Sequence, residues 1–287
     1  MTVPIGGSGV RSTPRRGIVI MSDDEGRPLA LVTGASSGIG YELARQFAEH
    51  GFDLVVNAED AGIDDAARRL RQLGASVEAV QADLTGEAGV ERLYARATAG
   101  GRRLEVVAIN AGVGAGGAFA ETDLAGDLRV VDLNVRSSVH LAKLCVRDMA
   151  ARRRGRVLFT SSIAATQPGP FEATYAASKA FLLSFSEALR DELKDSGVTV
   201  TALMPGPTDT AFFERAGMRD TRVGSGKKDD PAQVAAQAYE ALMDGEDHVV
   251  AGSLKNRAMA GAAKVLPEKA KAQAHRRLAE PGSGDGR

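Results

Sequence analysis

Two groups of residues in this 287-residue chain have the types and the spacing to do chemistry. One is Ser161-Ser162 followed by Tyr175-Ala-Ala-Ser-Lys179. A tyrosine and a lysine four apart on a helical pattern lie on one face. A phenol with a pKa of about 10 exchanges protons poorly at neutral pH. An ammonium beside it favours the phenolate, lowers that pKa and readies the hydroxyl for acid–base work. Ser162 closes the apolar run Arg156-Val-Leu-Phe-Thr160, where its hydroxyl can hydrogen-bond a substrate oxygen. Each residue alone also has an ordinary structural reading: Tyr175 as amphipathic packing, Lys179 as a solvated face, Ser162 as a helix cap. Such a pair recurs by chance in helices, and its weight comes from what precedes it in the chain.

The other group is the loop Thr33-Gly-Ala-Ser-Ser-Gly-Ile-Gly40, set between an apolar run and a helical pattern. Gly34, Gly38 and Gly40 permit a tight turn and let a pyrophosphate approach the backbone. The helix start around Ser36, Ser37 and Ile39 supplies free N–H groups and a favourable dipole. The spacing is not the common G-x-G-x-x-G, and glycine-rich loops abound, so position between strand and helix is what makes it specific. Nineteen residues after Gly40 stand Glu59 and Asp60. An acidic side chain about 20 residues beyond such a loop accepts hydrogen bonds from the adenosine ribose and repels a 2′-phosphate. No arginine or lysine lies between Phe52 and Ala67. The cofactor expected from this pattern is NAD, with NADP as the alternative.

Positioning these groups requires a particular framework. Short apolar runs at Leu29–Thr33, Asp53–Asn57, Val77–Gln81, Val106–Asn110, Arg156–Thr160, Val198–Leu203 and His248–Val250 alternate with longer helical patterns. Continuous apolarity suits strands buried on both faces of a parallel sheet. About seven strands with intervening helices predict an α/β fold: a Rossmann-like, doubly wound parallel sheet with helices on both faces. The ligand should then lie beyond the carboxyl ends of the strands.

Taken together, Thr33-Gly-x-x-x-Gly-Ile-Gly40, Asn110-Ala-Gly112, Asn134, Ser162 and Tyr175-x-x-x-Lys179 resemble the short-chain dehydrogenase/reductase family. The likeness runs from about residue 28 to 252. It implies that Tyr175 is the acid/base, and that Lys179 lowers its pKa and binds the nicotinamide ribose. The serine lies 13 positions before the tyrosine in many members, which picks Ser162, with Ser161 as the alternative. The resemblance assigns Asn134, on a long expected helix, to a proton relay with a water and Lys179. Asp83 and Leu84 correspond to an adenine contact. Asn110, Ala111 and Gly112 face the cofactor, with Ile109 replacing an asparagine usual in the family. Pro205, Gly206, Thr208 and Thr210 belong to the loop holding the carboxamide, and Thr208 stands where valine or isoleucine is usual. The implied reaction moves a hydride between the cofactor and an alcohol, ketone or aldehyde carbon. The resemblance also implies a homodimer or homotetramer.

Composition narrows the remaining classes. The chain is 44% hydrophobic and 25% charged, with a formal net charge of -1. The balance argues against a nucleic-acid partner, and no apolar run approaches a membrane span. Cys145 is the single cysteine, which suits a reducing cytoplasm and is read as core. The four histidines are scattered without metal-ligand spacing, so no metal is expected. Residues 1–27 read as a flexible arm, since the apolar stretch behind Arg15-Arg16 is too short for an export signal. Residues 28–252 read as one dinucleotide-binding domain with a substrate lid at 209–228. Residues 253–287 read as a basic helical extension, broken at Pro267, with a disordered tail. Besides an NAD-linked enzyme, an NADP-linked ketoreductase and a non-catalytic dinucleotide sensor on the same fold remain open at this stage.

Overall fold

The computed structural model describes residues 26–253, 256, 258, 261 and 266–284. Seven strands, β1 (Leu29–Thr33), β2 (Asp53–Ala58), β3 (Val77–Gln81), β4 (Leu104–Ile109), β5 (Gly155–Thr160), β6 (Val198–Pro205) and β7 (His248–Ala251), form one sheet among the described residues. All pair in parallel, in the order β3-β2-β1-β4-β5-β6-β7. The doubly wound sheet expected from the sequence is therefore present.

Alternation along each strand explains why helices cover both faces. On β1, Ala30 and Val32 point to one side with α1 (Gly38–Glu49) and α9 (Pro231–Asp244). Leu29 and Leu31 point to the other side, with α3 (Glu87–Ala97), α5 (Ser138–Ala151) and α6 (Ala173–Leu193). Chain order reverses between β1 and β4, so the connections from those two strands diverge and leave a cleft at their carboxyl ends. Glycine at 245, φ +71°, ends α9 in a left-handed cap that turns the chain into β7.

Two features differ from the sequence reading, the middle of the long helix and the tail. The long helix expected to carry Asn134 and Cys145 is divided into α4 (Leu124–Val130) and α5 by a π-helical turn, Val131–Ser137. Ser137 Oγ donates to the Leu133 carbonyl at 2.5 Å within that turn. Such a widened turn inserts one residue and re-aims the side chains it carries, and Asn134 is one of them. In the region read as a helical extension, α10 (Glu268–Ala279) begins directly after Pro267 and packs over the lid. The tail expected to be disordered forms a turn over residues 281–284. Gly282 N–H donates to Asp220 Oδ2 at 2.8 Å and Gly284 N–H to the Asp220 carbonyl at 2.7 Å. Backbone donors found acceptors there, which composition alone does not foresee. The expected arm lies outside the described residues up to position 25, and so do residues 285–287.

Candidate active site

The loop after β1 has the shape that close approach of a phosphate demands. Gly34 and Gly38 are left-handed, with φ of +67° and +58°. A Cβ at Gly40 would stand 2.1 Å from the Gly34 carbonyl oxygen, and one at Gly38 would stand 2.8 Å from Thr210 Cγ2. Helix α1 starts here with no side-chain cap and no acidic residue in its first turn, leaving its N–H groups for an anion. These features fit a bound dinucleotide: an uncapped helix start faces a cleft kept open by glycines.

Strands β1, β4 and β5 are tied together at this edge. Thr33 Oγ1 accepts from the N–H groups of Asn110 and Ala111 at 2.9 and 3.0 Å. Asn110 Nδ2 donates to the Thr33 carbonyl at 3.0 Å, while its Oδ1 accepts from Thr160 Oγ1 at 3.1 Å. Thr33 was not singled out in the sequence beyond its place in the motif. A hydroxyl at the end of the first strand was the available signal.

At the far end, Asp60 Oδ2 accepts from Ser36 Oγ at 3.1 Å and its Oδ1 from the Gly62 N–H at 2.9 Å, the start of α2 (Gly62–Arg71). Glu59 is ion-paired with Arg129 from α4, which also approaches Asp83 at 3.6 Å. Burial works against the Asp83 charge, but the Thr85 N–H and Arg129 outweigh it and hold the carboxyl below its usual range. No cation lies near Glu59 in sequence, yet the fold brings one from 70 residues away.

The residues expected to do acid–base work converge from β5 and α6. Ser162 Oγ accepts from the Ala164 N–H at 3.1 Å, capping a short 3-10 turn. Ser161 is turned away, its hydroxyl donating to the Lys179 carbonyl at 2.8 Å. Lys179 Nζ donates to the Thr160 carbonyl at 2.8 Å and lies 5.6 Å from the centre of the Tyr175 ring. Burial pushes the Tyr175 phenol well above its usual value. The Glu172 charge adds to this, and the Ser162 hydroxyl opposes it. Burial also pushes Lys179 down to about 8. The expectation that the ammonium lowers the tyrosine is therefore not met in the protein alone, because desolvation acts on both groups and dominates.

Asn134 is fully buried, and its side chain is committed to the framework. Its Oδ1 accepts from the Val113 N–H at 2.9 Å, and its Nδ2 donates to the Val113 carbonyl and to Ser178 Oγ, each at 2.9 Å. It thus fixes the loop following Gly112 against α6, at the residue just before Lys179.

Beyond β6, the Thr208 hydroxyl donates to the Gly206 carbonyl at 2.9 Å, and Asp209 and Asp229 backbones pair across the loop. The lid follows as α7 (Phe212–Arg215) and α8 (Arg222–Ser225). Phe212 lies 5.0 Å from the Tyr175 ring, centre to centre. One cleft, with a cavity of about 260 Å³, is lined by Gly34, Ser36, Ser37, Gly38, Ile39, Gly40, Glu59, Asp60, Asp83 and Leu84. Asn110, Ala111, Gly112, Ser162, Tyr175, Lys179, Pro205, Gly206, Thr208 and Thr210 line the same cleft. Of the residues singled out in the sequence, Asn134 stands behind the wall. Gln167 also lines the cleft, in the loop Ala164 to Phe171 that the sequence offers as a pocket wall, and so do Glu172 and His275, to which nothing in the sequence pointed.

A glycine loop at an uncapped helix start, a buried phenol and a buried ammonium along one cleft of a doubly wound sheet are the features of a dinucleotide-dependent oxidoreductase. Residues 28–220 match the family model for short chain dehydrogenase. The oxidoreductase UcpA of Salmonella typhimurium is 31% identical over 214 residues, covering 74% of this chain and 79% of that protein. A short-chain dehydrogenase from Sphingobium yanoikuyae, solved with NADPH, superposes with a TM-score of 0.73 at 31% identity, over 83% of this chain and 93% of that one. One from Burkholderia phymatum, solved with NAD, has a TM-score of 0.75 at 25% identity, over 85% and 94%. The chain belongs to the short-chain dehydrogenase family, an NAD(P)-linked class of oxidoreductases acting on CH–OH groups.

Proposed function

We propose that this protein interconverts an alcohol with a ketone or aldehyde by hydride transfer, using NAD(H) in preference to NADP(H). The observation that carries the reading is the placement of Ser162, Tyr175 and Lys179 on the same cleft as the glycine loop. The cofactor supplies or takes up the hydride at its nicotinamide ring when bound. Ser162 and Tyr175 hold the substrate oxygen, and Tyr175 gives its proton in reduction and takes one in oxidation. A phenol held protonated by burial suits the reductive direction. Lys179 holds the ribose hydroxyls and, with a pKa drawn towards neutrality, relays the proton. Asn134 acts through the backbone it fixes, keeping Gly112 and Lys179 adjacent: a Cβ on Gly112 would stand 3.2 Å from both Asn134 Oδ1 and Lys179 Nζ.

Glu59 and Asp60 support NAD, since two carboxylates at the ribose end oppose a 2′-phosphate. Arg129 beside Glu59 gives the NADP-linked reading its own support. The exposed apolar residues Leu124, Leu128 and Val131, spaced along one helical face, support assembly with a second copy of the chain. A lone, buried Cys145 suits a reducing cytoplasm.

The test is titration with NADH and NADPH, then a panel of alcohols and ketones with wild type and Tyr175→Phe. Tighter NADH binding and turnover lost at least a thousandfold in the variant, with cofactor affinity retained, are expected. Comparable turnover by Tyr175→Phe would refute the assignment, and tight binding with no turnover across the panel would favour a sensor.

A further inference from the structure

The α10 helix lies outside the span of the family match, and it places a buried histidine on the cleft. His275 Nε2 lies 2.9 Å from Glu172 Oε2, across 103 residues of sequence. The two side chains are only 8% and 7% exposed. On its other edge His275 Nδ1 lies 3.1 Å from Gln167 Nε2. A neutral imidazole protonated on Nε2 satisfies both contacts at once, donating to Glu172 and accepting from the Gln167 amide. Both ring nitrogens are then committed, and the imidazole fixes the carboxylate.

That leaves Glu172 with one oxygen to spare. Oε1 has no hydrogen-bond partner among the described residues. Glu172 lines the cleft, three residues before Tyr175 on the same chain segment. The apolar side chains of Phe212, Val223 and Leu278 line the same cleft. A fixed carboxylate among apolar side chains selects for a hydrogen-bond donor on the substrate. Since Lys179 and Arg215 already line the same cleft, a neutral hydroxyl suits it better than a further cation.

We propose that Glu172, oriented by His275, is a substrate subsite that takes a second hydroxyl, so that hydroxyketones and diols are preferred over the corresponding simple ketones and alcohols. This rests on the oxidoreductase reading given above. His275 is a positioning residue, acting through Glu172.

The experiment compares 2-butanone with its 1-hydroxy, 3-hydroxy and 4-hydroxy derivatives. Binding is measured first by calorimetry to the NADH complex of Tyr175→Phe, a background in which the subsite is read without turnover. At least one hydroxyketone should bind about tenfold tighter than 2-butanone, as expected for a hydrogen bond to a charged acceptor. Adding Glu172→Gln should remove most of that preference, and His275→Gln part of it, with NADH affinity kept within about twofold. In the wild-type background the same substitutions should raise KM for the hydroxyketone well beyond any rise for 2-butanone. Equal affinity for all four ketones, or equal losses for both kinds of ketone in Glu172→Gln and His275→Gln, would overturn the subsite. Undiminished turnover by Tyr175→Phe would instead overturn the reaction assignment and leave the binding comparison intact.

Discussion

Replacing Lys179 with methionine should make the protein more stable while abolishing its activity. Lys179 is 4% exposed, and burial holds its ammonium at about 8 against an ordinary 10.5. Below pH 8 the folded chain therefore carries a charge that water would solvate better. At about 1.4 kcal/mol per pH unit, the difference amounts to about 3 kcal/mol. Losing the bond from Nζ to the Thr160 carbonyl, 2.8 Å long, offsets this by about 1 kcal/mol. A net gain of about 2 kcal/mol at pH 7 remains, which for a chain of this size raises Tm by about 4 °C. The sign of the pH dependence follows from proton counting. Between pH 8 and 10.5 the unfolded wild type holds a proton that the folded state has released, so wild-type stability rises with pH. By pH 10 the penalty has fallen to about 1 kcal/mol, and the two proteins should be about equally stable. Urea denaturation of both at pH 7 and pH 10 measures this directly. A variant less stable at pH 7, or a gap unchanged by pH, would refute the claim that the site holds a desolvated charge.

Gly40→Ala should lower stability by about 2 kcal/mol and weaken NADH binding tenfold or more, because the added carbon meets the Gly34 carbonyl at 2.1 Å and Asn110 Nδ2 at 2.5 Å. Wild-type melting and affinity in this variant would contradict that packing. Arg129→Ala should move relative affinity towards NADH over NADPH by about threefold to fivefold, the scale of exposed ion pairs, since the guanidinium is 39% exposed beside Glu59 at 45%. A ratio unchanged in fluorescence titration would remove Arg129 from cofactor selection. Glu59→Ala with Asp60→Arg should act in the opposite direction and raise relative use of NADP. Cys145 is 1% exposed, and burial pushes its thiol up to about 12, so a disulfide reagent at pH 8 should label it only as fast as the chain unfolds. Labelling within the mixing time would show that α5 opens locally.

Much of this protein is legible in its sequence because the determining interactions are local. Strand-length apolar runs and helical periodicity depend on the backbone repeat, so the seven strands fall where the runs predict, with ends shifted by a residue or two. Glycines at 34, 38 and 40 are dictated by conformations and contacts of the loop itself, and Tyr175 and Lys179 face one way because a helix turns once in 3.6 residues. The break at Val131–Ser137 was not legible, since a π-turn follows from how flanking helices pack and leaves no periodic trace.

What the tertiary structure alone decided is which distant charges meet. Arg129 reaches Glu59 from another connection of the sheet, and His275 reaches Glu172 from the far end of the chain. The structure also reversed the expected effect on Tyr175, because burial is a property of everything packed around a group. The sequence by itself determined the fold class, the glycine loop after β1 and the candidates for proton transfer, all set by short-range geometry. Proton affinities, cofactor discrimination and the polar wall of the substrate pocket depend on desolvation and through-space contacts, which exist only once the chain has folded.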